Sequence, residues 1–88
     1  MKNLESTVNL IKTIAKGREL LEKDELINYF DVDVNGKVTI LCKEKFYEMF
    51  KGNIKLVSIN MESDFPYRYE AIHEGITFYN IESEEREL

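Results

Sequence analysis

One cysteine, one proline, one histidine and no tryptophan occur among the 88 residues, and each scarcity narrows what the chain can be. A lone Cys42 excludes an internal disulfide. Small secreted domains ordinarily rely on such cross-links, so a reducing cytoplasm is the expected setting. A zinc centre needs several His, Cys or carboxylate ligands at set spacings, which Cys42 and His73 do not supply. No cofactor is expected. The four glycines, at 17, 36, 52 and 75, are isolated, so there is no glycine-rich phosphate loop. The serines, at 6, 58, 63 and 83, stand outside any G-x-S-x-G turn. Apolar runs fall far short of the ~18 residues of a membrane span. The first residues include Glu5 and lack the apolar stretch of a signal peptide.

What is present is a folding composition. The chain is 43% hydrophobic and has five Phe and five Tyr, which argues against disorder. A chain of this length supports one small domain. We place it at residues 1–81, with 82–88 (ESEEREL) as a solvated acidic tail that either extends the last strand or frays. Alanine occurs only at 15 and 71, while Lys, Asn, Ile and Glu abound; AT-rich genomes, such as those of low-GC bacteria and their phages, produce this bias.

The charge is unevenly placed. The net charge is −5, yet residues 1–60 carry ten bases against nine acids, and residues 61–88 carry two bases against eight acids. An acidic field repels nucleic acid and anionic membrane and attracts basic partners.

Hydrophobic periodicity assigns the elements. Leu4, Val8, Ile11 and Ala15 recur at helical spacing, and Leu10, Ile14 and Leu21 widen the stripe. Asn3 is a suitable N-cap. Arg18 and Leu21 continue the period past Gly17, predicting a helix to about Lys23 at a cost of ~1 kcal/mol for the interior glycine. Tyr29 to Cys42 alternates on both sides of Asn35-Gly36 and predicts a hairpin. A three-residue loop, Val34-Asn35-Gly36 with Gly36 left-handed, sets Val32 opposite Val38 and Phe30 opposite Ile40, and keeps the two faces consistent. Lys43 to Lys51 reads as a short helix closed by Gly52. Ile54 to Met61, Tyr67 to His73 and Ile76 to Ile81 read as strands, the last two joined through Glu74-Gly75. The predicted order is α-ββ-α-β-ββ, an α+β fold whose last three strands are mostly antiparallel.

Asp31-Val32-Asp33-Val34-Asn35-Gly36-Lys37-Val38 resembles the first half of an EF-hand calcium loop, with oxygen donors at positions 1, 3 and 5, glycine at 6 and an apolar residue at 8. The twelfth position, where the family has a bidentate glutamate, is Cys42, and Glu44 comes two residues late. The resemblance implies a small calcium-binding protein using Asp31, Asp33 and Asn35. The hairpin accounts for the same residues and is the preferred reading.

Other constellations are weaker. Cys42 and His73 would form a nucleophile–base pair only if folding brought them together; a small buried thiol is the simpler expectation. Phe65, Tyr67, Arg68 and Tyr69 suggest a stacking platform for single-stranded nucleic acid. Their acidic surroundings oppose it, because such affinity rests on Lys and Arg at phosphates. Lys43, Lys45, Lys51 and Lys55 suggest a basic patch or simply a solvated helix face.

The leading expectation is a small, acidic, non-enzymatic protein-interaction domain, in sharper form a phage or mobile-element inhibitor or regulator. It would meet a basic surface of a nucleic-acid-processing protein through Glu62, Asp64, Glu70, Glu74, Glu82, Glu84, Glu85 and Glu87, with Phe65, Tyr67 and Tyr69 as aromatic anchors. A homodimer through a sheet edge is a further expectation. The alternatives are the calcium loop and the Tyr67–Tyr69 single-strand binder.

Overall fold

A computed structural model describes residues 4–88, so the Asn3 cap lies outside the described residues. The elements are α1 (Leu4–Glu22), β1 (Ile27–Val32), β2 (Val38–Cys42), α2 (Lys45–Met49), β3 (Lys55–Ile59), β4 (Tyr67–His73) and β5 (Ile76–Glu82). The strands form one sheet in the order β1-β2-β5-β4-β3. The fold is a small α+β domain.

The first hairpin has the expected register. Val32 faces Val38, Phe30 faces Ile40, the Asp33 amide donates to the Lys37 carbonyl, and Gly36 has φ +80°, the left-handed geometry its position requires. The second hairpin pairs Tyr69 with Asn80 and Ala71 with Phe78, also as the alternation requires. The join between the hairpins is a different matter. β2 and β5 run parallel, with Leu41 beside Tyr79, so the sheet is mixed. Nothing local to either strand encodes that contact.

One face of the sheet is buried. Ile27, Ile40, Cys42, Tyr69 and Ala71 gather there under Phe46, whose side chain is 0% exposed. α2 is only five residues long, too short to be stable by itself; its aromatic contacts hold it. Phe50 packs on Phe78 with ring centroids 4.8 Å apart, and Tyr47 meets Tyr69 edge-on at 6.0 Å. Asn80, also buried, donates from Nδ2 to the carbonyls of Cys42 and Lys43. It thereby ties β5 to the turn between β2 and α2.

The residues after Glu82 do not fray. The Tyr69 hydroxyl accepts from the Arg86 amide at 2.6 Å and donates to the Arg86 carbonyl. The Arg86 guanidinium lies 3.6 Å from the centre of the Tyr47 ring and pairs with Glu44 and Glu82. Glu82 itself belongs to β5, opposite Tyr67. Of the segment 82–88, Glu82 extends the last strand and Arg86 is fastened over the core, while Ser83, Glu84, Glu85, Glu87 and Leu88 are exposed.

α1 contrasts with everything else. It has 19 residues, none of them buried. Only its C-terminal end touches the sheet, where Leu21 joins the core margin and Arg18 lies over the Tyr29 ring at 5.7 Å. The rest projects outward, and the molecule measures 51 × 25 × 23 Å. Among the described residues no helix is long and apolar enough to cross a membrane.

Candidate interaction surface

The strand order determines which charges meet. Tyr67 pairs with Glu82, so the β3–β4 loop and the segment after β5 leave the sheet at the same end. Because β2 runs parallel to β5, Cys42 and the turn into α2 reach that end too. β1 is antiparallel to β2, which brings Asp24 and Glu25 there from the α1–β1 junction. Carboxylates from four chain segments therefore collect at one pole: Asp24 and Glu25, then Glu44, then Glu62 and Asp64, then Glu82 to Glu87. The sequence reading missed Asp24, Glu25 and Glu44, which lie in the electrically balanced first two-thirds of the chain. Only the parallel contact brings them in.

The pole contains paired and unpaired acids. Glu44 and Glu82 are held by Arg86. The Glu44 ion pair raises the Arg86 guanidinium further above its ordinary value. The Tyr47 hydroxyl, which donates to Glu82 at 2.9 Å, is also raised, first by burial and then by that bond. Asp24, Glu25, Glu62, Asp64, Glu84, Glu85 and Glu87 are exposed and have no ionic partner among the described residues. Phe65, 52% exposed, sits among them in the β3–β4 loop, where Asn60 and Ser63 side chains accept from the Glu62 and Phe65 amides. Lys43, beside the turn into α2, donates to the Asp24 carbonyl.

Several expected residues lie elsewhere. Tyr69 is 1% exposed, so it is a core side chain and offers a partner no surface; alternation placed it correctly on its strand but on the covered face. Tyr67, half-buried on the same face, flanks the pole. The Tyr67–Tyr69 stacking platform is therefore not assembled. Glu70 points to the opposite, open face, where Arg68 pairs with it at 2.7 Å and stacks 3.9 Å from the Tyr79 ring centre. Glu74 lies in the β4–β5 turn with φ +51°, at the far end of the sheet.

The remaining constellations are dispersed or already occupied. The Asp31–Asn35 segment is flanked by strands, whereas the EF-hand places helices there. Asp33 Oδ1 accepts from the Asn35 and Lys37 amides at 2.8 and 2.9 Å, fixing the turn. Cys42 is 2% exposed, and burial pushes its thiol up to about 11. His73 ends β4, two strands from β2 and about 10 Å across the sheet, and its partner Ile76 lies about 13 Å back along β5 from the level of Cys42. The two do not form a pair. Of the lysines, Lys43 is occupied as above, Lys45 pairs with Glu48, and Lys55 opposes Glu70 across the β3–β4 ladder, so no single basic patch results. Against these geometric findings, the comparisons are silent: no family model, no curated protein and no solved structure matches the chain.

Proposed function

We propose that this chain is a non-enzymatic protein-interaction domain that presents its acidic pole to a basic protein surface. One observation carries the reading: the strand order gathers carboxylates from four segments at one end of the sheet, and seven of them, with Phe65 exposed in their midst, are left without ionic partners among the described residues. Such a surface attracts basic partners over distance and orients them, while the aromatic side chain supplies buried area once they touch. A nucleic-acid-processing protein has a basic groove of the matching sign, and an inhibitor or regulator that occupies it competes with phosphate.

The test is capture from bacterial lysate by the tagged protein at low and high salt, after nuclease treatment. The reading expects a basic protein that is retained at low salt, released at high salt and displaced by added DNA. It further expects that changing Glu62, Asp64, Glu84, Glu85 and Glu87 together to Gln abolishes capture, and that Phe65→Ala weakens it. Equal capture by the wild type and the five-fold Gln variant would reduce the pole to a solubilising surface.

A further inference from the structure

α1 leaves a long apolar face uncovered. Leu4, Ile11 and Ile14 are 79%, 59% and 68% exposed, and Leu10 and Val8 are exposed beside them. Together they line one side of the helix, continuous with Leu21 at the core margin. A compact chain of 10.4 kDa exposes about 5,400 Å²; this one exposes 6996 Å². The excess is roughly twice the ~800 Å² that each partner of a standard interface buries. The radius of gyration, 16.1 Å, also exceeds the ~12 Å of a compact chain this long. A single copy of the chain has surface to lose, and it is concentrated on α1.

The charges of α1 select the occupant. Within Leu4–Glu22, Lys12, Lys16 and Arg18 balance Glu5, Glu19 and Glu22. A helix without basic excess has no electrostatic attraction to an anionic membrane, and a neutral one has no preference for a strongly charged partner. A mixed, neutral face can complement itself. The acidic pole plays no part in this argument.

We infer that two copies of this chain associate through α1, the helices packing antiparallel about a two-fold axis near Ile11. In that register Ile11 meets its own copy and Val8 meets Ile14. Leu4 reaches Arg18 and the half-exposed Tyr29 of the other copy, extending the contact onto β1. The one like-charge approach is Lys12 beside its equivalent near the axis. An antiparallel pair places the two sheets at opposite ends, whereas a parallel pair crowds both at the C-terminal ends of the helices. The interface is isologous and closes as a dimer.

Sedimentation of the full chain from low to high micromolar concentration tests the association. A dimer is expected, with Ile11→Glu weakening it by more than about 100-fold, because a carboxylate buried without a partner is strongly disfavoured. Orientation is read from cysteine variants under mild oxidation, with buried Cys42 as a quiet background. Ile11→Cys should give a covalent dimer rapidly and Leu4→Cys should not. A wild type that stays monomeric throughout overturns the inference. So does equal cross-linking at both positions, which means a parallel pair, and so does a monomer that floats with neutral lipid vesicles in an Ile11-dependent manner. None of these outcomes touches the acidic pole, which the five-fold Gln variant tests separately.

Discussion

The two helices of the described chain invert the usual relation between length and burial. α1 has 19 residues and buries none; α2 has five and buries Phe46 completely. The ion pairs along α1, Lys16–Glu19, Arg18–Glu22 and Lys23–Glu19, are all solvent-exposed and contribute at most a few tenths of a kcal/mol each. α2 has no side-chain N-cap bond, and yet it is the lid of the core. A helix matters to a domain through what it covers, and propensity only decides whether it forms cheaply.

That contrast is sharpened by perturbing each side. Phe46→Ala should cost about 3–5 kcal/mol, a large share of the stability of an ordinary domain, and a urea titration followed by circular dichroism would show it. A loss limited to 1 kcal/mol would mean that α2 is not the lid. Next comes alkaline pH. Burial raises the Cys42 thiol from 9.0 to about 11, so the unfolded chain releases this proton before the folded one does. Its contribution is complete below pH 9 and is lost as pH rises through 11, by up to about 2–3 kcal/mol. Urea midpoints across this range should fall less steeply in Cys42→Ala than in the wild type. Asn80→Ala strips the buried Cys42 carbonyl and the part-buried Lys43 carbonyl of a donor and should cost about 1–3 kcal/mol.

On the α1 side the effects are smaller and one changes sign. Gly17 lies inside the helix with nothing within 4 Å of an added Cβ. Gly17→Ala should therefore raise stability or helical signal by up to about 1 kcal/mol. Leu20→Ser, at a position 58% exposed and away from the apolar stripe, should shift the urea midpoint by less than about 0.5 kcal/mol. A larger loss would show that α1 packs on the sheet in solution.

Local pattern and global arrangement differ in how far they can be read from the chain. The C-terminal end of α1, the Val34-Asn35-Gly36 loop and both hairpin registers are visible because each follows from spacing or turn chemistry within a few residues, whereas α2 ends at Met49, short of the expected stop at Gly52. The parallel β2–β5 contact is not visible, since it depends on which hairpin edges meet. For the same reason the acidic excess after residue 60 was legible, while the recruitment of Asp24, Glu25 and Glu44 was not. Arg86 was hidden in another way: within ESEEREL it looks like one more charge in a solvated end, and only the hydroxyl of Tyr69 and the ring of Tyr47 give it a place. Alternation likewise put Tyr69 on the right face without telling which face would be covered.

The parallel contact also orders events in time. β5 stands at the centre of the sheet although every other strand precedes it in the chain, and Leu41 must find Tyr79 across 38 positions. Each hairpin closes through near neighbours, whereas docking the two depends on distant ones and is the slow step. A nascent chain that has reached only residue 75 holds β2 and β4 with bare edges and no strand to join them. Such a fragment is a target for proteolysis or aggregation, so the fold is granted only to chains whose synthesis runs through β5.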